Sequence, residues 1–266
     1  MERMLDNLSL LQNIITRRPF GLITDIDGTI SPASKDPLHV IIPKINRDYL
    51  LRLSDCVELV AIVSGRSSSE VRKMIDGDKI VCIGHYGMER WQNGKPVLHP
   101  SAQPYVPAIR AVAQQIRQLR DVEGVIIQDK GATLSIHYRL SPHPLETKQQ
   151  ILSFLNCSPE IKHLRIIEEN MVIGIVPPVP IDKGTAVGEL IVEKHLRGAI
   201  YLGDDTADAL GFEAVHTAQN KLDFKGFGIT VVYTQTPAEV ISAADFVLKG
   251  VEETVPFLKW IVQLLC

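Results

Sequence analysis

Three short apolar runs that each stop abruptly at polar residues constrain this chain more than any other feature. FGLITDI (20–26), VELVAIV (57–63) and AIYLG (199–203) are rich in β-branched residues and too short for amphipathic helices. They read as strands buried on both faces. KIVCIG, GITVVY and FVLK read the same way. Helical patterns alternate with them. Residues 43–55 place Ile45, Tyr49, Leu50 and Leu53 on one face, and SSSEVRKMI opens with serines suited to an N-cap. Continuous apolar strands alternating with helices predict an α/β fold with a parallel sheet covered on both sides. In such sheets ligands sit beyond the carboxyl ends of the strands, where the polar stops lie.

The alternation breaks after about residue 95. Asn93-Gly94 marks a turn between GMERW and PVLH, and Pro96, Pro100, Pro104 and Pro107 punctuate the next stretch. A helix over 106–120, strands GVIIQ and ATLSIHYR, a helix near 144–155 and strands LRIIEE and MVIGIV predict an antiparallel α+β module. Pro177, Pro178 and Pro180 close it, and the first pattern resumes at Asp182. The chain thus reads as a core of residues 1–100 and 179–266 split by an inserted domain, residues 101–178.

A formal net charge of −3 offers no basic footprint for nucleic acid and no polybasic membrane patch. No stretch is long and apolar enough to span a bilayer. The N-terminal MERMLDNLSLLQNIITRRPF places Met4, Leu5, Leu8, Leu11 and Ile15 on one helical face, so it reads as a packed helix and not as a signal peptide. Cys56, Cys82, Cys157 and Cys266 lie far apart and show no metal or redox spacing, so a reduced, cytoplasmic protein is expected, while the even count leaves disulfides open. The apolar end VPFLKWIVQLLC reads equally as core or as contact surface, which leaves the oligomeric state open.

The polar stops share one chemistry. Asp25 and Asp27 stand two apart, with Gly28 and Thr29 turning the chain; Ser64, Gly65 and Arg66 follow the second run; Asp204, Asp205 and Asp208 follow a later one. Lys183 and Gly184 open a helix between them. A phosphomonoester carries two negative charges, and clustered carboxylates would repel it without a cation. Mg²⁺ takes oxygen ligands, typically a few carboxylates with water and the substrate phosphate. Lys183 and Arg66 add fixed positive charge for a transferring phosphoryl group. An aspartate nucleophile passes through an aspartyl-phosphate, and a second carboxyl can protonate the leaving alcohol and then activate water. Each motif alone is weak. DxDG also opens calcium loops, but the twelfth position from Asp25 is Asp36 where such loops carry Glu. SGR and DKG alone are ordinary caps, and GDDTAD alone is an acid-rich helix start. Their common placement at strand ends carries the reading.

In that order the chain resembles the haloacid dehalogenase (HAD) superfamily of phosphatases. DIDGT matches the first motif, Ser64 in VSGR the second, Lys183 the third and GDDTAD the fourth. The resemblance implies a Rossmann-like parallel-sheet core with an inserted α+β cap domain. It implies Asp25 as nucleophile and metal ligand, and Asp27 as acid/base and as a ligand through its backbone carbonyl. Ser64 and Lys183 would hold the phosphate, Asp204 would complete the Mg²⁺ ligands, and Asp205 and Asp208 would support the metal. Thr29 and Arg66 would shape loops or bind phosphate.

Within the superfamily the likeness is greatest to trehalose-6-phosphate phosphatases, carried by SGR, IGHYGMERW, DKGATLSIHYR, DKGTAV and GDDTADALGF. It implies a small-molecule sugar phosphate as substrate, with Glu89, Lys130, His137 and Arg139 as candidates for contact with sugar hydroxyls or for cap closure. Two departures stand out. MVIGIVP puts Gly174 and Val176 where the family usually has Glu and Arg, and Ala207, Ala209 and Leu210 stand where it favours Thr, Glu and Asp. A sugar site loses much by lacking a hydrogen-bonding side chain. The resemblance puts trehalose 6-phosphate first, and the departures keep another sugar phosphate or a glycosyl-phosphoglycerate open as the alternative. A non-catalytic regulatory subunit of a glycosyltransferase would predict loss of an essential group, yet Asp25, Asp27, Lys183 and Asp204 are all present.

Overall fold

The computed structural model describes every residue except 1, 33, 35, 37, 38 and 170. The chain forms two compact units, one drawn from the segments up to Val97 and Ile181–Cys266, the other covering Leu98–Pro180. In chain order the elements before the second unit are β1 (Glu2–Arg3), α1 (Leu8–Ile15), β2 (Phe20–Thr24), α2 (Lys44–Cys56), β3 (Leu59–Val63), α3 (Ser68–Ile75), β4 (Val81–Gly84), β5 (Glu89–Gln92) and β6 (Lys95–Leu98). The second unit holds α4 (Val106–Gln115), β7 (Ile126–Asp129), β8 (Leu134–His137), α5 (Pro144–Asn156), β9 (Arg165–Glu169) and β10 (Val172–Val176). After it come α6 (Lys183–Glu193), β11 (Gly198–Gly203), α7 (Thr206–Lys221), β12 (Lys225–Val232), α8 (Ala238–Ala243), β13 (Phe246–Lys249) and α9 (Val251–Leu265).

The first unit is an α/β layer structure on a sheet of order β1-β13-β12-β11-β2-β3-β4-β5-β6. Pairing is parallel from β1 to β4, and β5 runs antiparallel to β4. The strand period of two sends alternate residues to opposite layers. Leu22, Val60, Ile62, Ile200 and Leu202 join Leu11, Leu50, Phe257 and Ile261 of α1, α2 and α9. Ile23, Ala61, Val63, Ala199 and Tyr201 join Val187, Leu190 and Phe212 of α6 and α7. Each fully buried large aliphatic side chain contributes about 1.5–3 kcal/mol, so burial on both faces holds these strands without a polar side. The β5–β6 hairpin turns at Asn93 and Gly94, with φ of 50° and 77°, as a primed turn requires.

Several expectations are corrected. The N-terminal segment is not helical throughout: Glu2 and Arg3 pair parallel with Phe246 and Val247, and only then does the chain enter a short turn and α1. On α2, Ile45 is exposed and Asn46 is buried in its place, because the Asn46 amide donates to the Ile30 carbonyl at 2.8 Å. A buried loop carbonyl needs a donor, and an isoleucine cannot supply one. The apolar C-terminal end resolves as core, with Phe257, Leu258, Ile261 and Val262 buried. Cys56 and Cys266, 210 residues apart, are joined by a disulfide with Cα atoms 5.6 Å apart. Sequence spacing could not reveal this pair, which forms because α2 and α9 pack together. The even cysteine count leaves such a pair open. No described helix is long and apolar enough to cross a membrane.

The second unit is an antiparallel sheet of order β7-β8-β10-β9 with helices on one face. Leu134, Ile136, Ile173 and Ile175 pack against Ile109 and Val112 of α4 and Ile151 and Leu155 of α5. The same alternation places Gln128, Ser135 and Gly174 in one row on the other face, with His137 beside them.

Candidate active site

The first part of the site is a tight turn at the end of β2. The Asp25 amide donates to the Leu202 carbonyl of β11 at 2.9 Å, so the strand stays in the sheet up to the acid. The chain then folds back: the amides of Thr29, Ile30 and Ser31 all reach the Ile26 carbonyl, and the Gly28 amide reaches Ser31 O at 2.8 Å. Gly28 has φ +87°, and a Cβ there would overlap Asp204 Oδ2. Glycine both permits the turn and leaves room for the carboxylate. Thr29 Oγ1 donates to Asp204 Oδ1 at 2.8 Å.

Helix starts supply the second part. Asp182 caps α6, accepting from the Thr185 amide at 2.8 Å, and sets Lys183 as the first helical residue. Its buried ammonium lies 2.8 Å from Asp208 Oδ1, 3.2 Å from Asp25 Oδ1 and 3.6 Å from Asp205 Oδ1. Asp205 caps α7 in a reciprocal arrangement with Asp208. Asp208 Oδ2 accepts from the amides of Asp204 and Asp205, while Oδ1 accepts from Lys183 Nζ and from the Tyr201 hydroxyl at 2.5 Å. Ligand oxygens of Asp25, Asp204 and Asp208 lie within 4.8 Å of one another. With four donors on its two oxygens, Asp208 is a hub that holds the other groups, whereas Asp25 and Asp204 keep carboxylate capacity for a cation.

The electrostatics agree. Burial, then the charges of Asp208 and Asp27, push the Asp25 carboxyl up to about 7 against the pull of Lys183. Burial and the charges of Asp208 and Asp25 push Asp204 well above the carboxylate range. Burial would raise Asp208 too, but Lys183 and its hydrogen bonds hold it below its ordinary value. Burial disfavours the Lys183 charge, yet Asp205, Asp208 and Asp25 raise its pKa well above the ordinary value. A buried and a half-buried carboxyl that repel each other's charge are a fitting pair for a hard divalent cation such as Mg²⁺, whose charge reverses that repulsion.

Asp27 stands on the open side with its side chain about a third exposed. Arg66 binds it with both arms, Nε to Oδ2 at 2.6 Å and Nη2 to Oδ1 at 2.7 Å. The Arg66 side chain, expected to shape a loop or bind phosphate, is thus engaged with the acid. Ser64 is buried; its amide bonds the Ile83 carbonyl and its hydroxyl accepts from the Arg66 amide at 3.3 Å. Glu89 Oε1 accepts from the amide and hydroxyl of Ser68 at 2.8 and 2.7 Å, and Oε2 lies 3.5 Å from His85. The candidate sugar contact therefore also pins the start of α3. Lys130, His137 and Arg139 belong to the second unit. Lys130 sits in the β7–β8 turn, His137 Nε2 lies 3.4 Å from Gln128 Oε1, and Arg139 follows β8.

Three hydroxyls escaped the sequence reading. Tyr201 on β11 holds Asp208, Tyr233 after β12 donates to Gly28 O at 2.7 Å, and Thr254 on α9 donates to Thr29 O at 3.0 Å. Tyr201 carried a weak signal, a polar tip inside an otherwise apolar strand. The other two carried none.

The model of the family described as trehalose-phosphatase matches residues 23–252. The chain belongs to the trehalose-phosphatase family. Its members are phosphoric monoester hydrolases, and this chain is one by that membership. It is 25% identical over 263 residues to the probable trehalose-phosphate phosphatase D of Arabidopsis thaliana, covering 91% of this chain and 67% of that relative. In fold it resembles the C-terminal domain of the Candida albicans trehalose-6-phosphate phosphatase, with a TM-score of 0.80 at 18% identity and full coverage of both chains. A haloacid dehalogenase-like hydrolase from Bacteroides thetaiotaomicron matches with a TM-score of 0.59 at 14% identity, covering 92% of this chain and 100% of its own. Against this family background the trehalose-phosphatase turn, caps and acid cluster described above form one connected site, from Asp25 through Lys183 and Asp208 to Asp204.

Proposed function

We propose that the chain hydrolyses a sugar phosphomonoester, trehalose 6-phosphate first, to the free sugar and inorganic phosphate. The observation that carries this is Asp25, a buried carboxylate at a strand end, 3.2 Å from Lys183 Nζ and grouped with Asp204, in a chain of the trehalose-phosphatase family. In this reading an Asp25 oxygen attacks phosphorus and the bond from phosphorus to the sugar oxygen breaks. Asp27 gives its proton to the departing oxygen, leaving an aspartyl-phosphate on Asp25. Asp27 then takes a proton from water, the water oxygen attacks phosphorus, and Asp25 and phosphate separate. Arg66 occupies both Asp27 oxygens, so this pair loosens before Asp27 carries a proton. Lys183 and Ser64 hold the phosphoryl oxygens. Asp25, Asp204 and the backbone carbonyl of Asp27 are the residues to hold Mg²⁺, which when bound neutralises charge on the transferring group. Residues 101–178 are proposed as the cap, with Glu89, Lys130, His137 and Arg139 as sugar contacts.

A second reading, a different sugar phosphate or a glycosyl-phosphoglycerate, is favoured by Gly174 in the middle of β10, opposite Ser135 and Ile167. A glycine presents no hydrogen-bonding side chain to a sugar. The test is phosphate release from trehalose 6-phosphate, sucrose 6-phosphate, glucose 6-phosphate and glucosyl-3-phosphoglycerate, with Mg²⁺ and with EDTA. Preference for trehalose 6-phosphate supports the first reading, and its rejection in favour of another substrate the second. Turnover by Asp25→Asn would sink the nucleophile assignment. No turnover of any substrate, p-nitrophenyl phosphate included, by the folded wild type would overturn the enzyme reading.

A further inference from the structure

The turn that carries Asp27 is held from the far end of the chain. Tyr233 and Thr254, 205 and 225 residues away, donate to two consecutive carbonyls, Gly28 O and Thr29 O, at 2.7 and 3.0 Å. The peptide between Gly28 and Thr29 is the one whose orientation glycine leaves freest, because no Cβ opposes its rotation. Gly28 also sits at φ +87°, so a donor on its carbonyl selects one of several accessible arrangements. The groups that hang on that peptide are specific. Thr29 Oγ1 holds Asp204 Oδ1 at 2.8 Å, and Asp204 lies against the bare Cα face of Gly28.

We propose that Tyr233 is a positioning residue for the cation site, acting through the Gly28–Thr29 peptide on Thr29 and so on the Asp204 carboxylate. The inference rests on the reading of Asp25 and Asp204 as cation ligands. The backbone of Tyr233 is itself anchored. It follows β12 directly, its amide donates to Thr236 Oγ1 at 2.8 Å, and the Thr236 amide returns to the Tyr233 carbonyl at 3.2 Å. That backbone therefore cannot swing with the ring. Tyr233 is 40% exposed, so deleting the hydroxyl changes packing little and isolates the hydrogen bond. Thr254 is fully buried and provides the second tether through its hydroxyl on the Thr29 carbonyl.

The test is Tyr233→Phe, read first by calorimetric titration of the substrate-free protein with Mg²⁺. Removing a partner that orients a metal-ligating carboxylate weakens metal binding typically about 10–100-fold, and a loss at the lower end, about tenfold, is expected here. With p-nitrophenyl phosphate, the Mg²⁺ concentration for half-maximal rate should rise in step. The substrate KM at saturating Mg²⁺ should stay as in the wild type. Thr254→Ser, which keeps the hydroxyl, should retain wild-type Mg²⁺ affinity, and Thr254→Val should lose it. Unchanged Mg²⁺ affinity in Tyr233→Phe, with or without a lower melting temperature, would overturn the proposal and leave the proposed function standing. A wild-type protein that binds no Mg²⁺ would overturn both.

Discussion

Replacing Asp25 by Asn separates charge from shape at the centre of the site. Burial and the charges of Asp208 and Asp27 bring the Asp25 carboxyl to about 7 from an ordinary value of 3.8. A carboxyl with a raised folded-state pKa holds its proton more tightly in the folded chain. Its ionisation opposes folding, so stability falls as pH rises from the unfolded value through the folded one. A gap of about three pH units corresponds to roughly 4 kcal/mol when fully developed. Between about pH 5 and about pH 8 the part that develops is roughly 2–3 kcal/mol. Asparagine keeps the size and never ionises, and Lys183 retains Asp208 and Asp205 as partners. In EDTA, the urea midpoint of Asp25→Asn should therefore pull ahead of the wild type across this window. Mg²⁺ should reverse the order, because a cation favours the ionised carboxylate that only the wild type has. Parallel pH profiles of the two proteins in EDTA would refute the claim that Asp25 is held in a repulsive, desolvated cluster.

Gly28→Ala puts a Cβ onto Asp204 Oδ2 at a φ of +87° and adds a backbone penalty of about 1–2 kcal/mol; calorimetry should show Mg²⁺ binding lost from a folded protein, and retained binding would count against Asp204 as a ligand. Tyr201→Phe removes one of two donors on Asp208 Oδ1; loss of a hydrogen bond to a charged group should lower unfolding stability by about 1.5–3 kcal/mol, with a lower kcat because Asp208, which keeps Lys183 as partner, is held by one donor fewer. Cys56→Ser, or reduction, opens a linkage between residues 210 apart and should lower stability by about 2–4 kcal/mol. Turnover of p-nitrophenyl phosphate should survive it, since Cys56 ends α2 just before the amino end of β3, and the acids lie at carboxyl ends.

The placement of acids at strand ends joins chemistry to stability. Asp205 and Asp208 cap α7 while Asp208 also fixes Lys183, and Asp182 caps α6 so that Lys183 begins it. The same carboxylates that close helix termini supply the charge pattern of the site. A substitution at Asp208 would remove a cap, the acceptor of two backbone amides and the Lys183 partner together, so its effects on folding and turnover would be inseparable. Tyr201 and Tyr233 each touch the site through one hydroxyl, and their phenylalanine variants probe it more cleanly.

The features that the sequence determined by itself are local. The apolar runs of β2, β3 and β11, the serine and aspartate caps of α3, α6 and α7, and the Asn93-Gly94 hairpin arise from period and turn chemistry within a few residues. Parallel strands then put Asp25, Ser64 and Asp204 at one edge of the sheet, because every such strand ends there. Only the tertiary structure decided the partners brought together by packing: Tyr233 on Gly28, Thr254 on Thr29, Arg66 on Asp27, Tyr201 on Asp208, and Cys56 on Cys266. Asn46 in place of Ile45 on the buried face of α2 belongs with these, since its partner is a loop carbonyl and not a neighbour on the helix. Residue type and local spacing carry no register between segments up to 225 residues apart, so these contacts exist only once the layers have closed around the sheet.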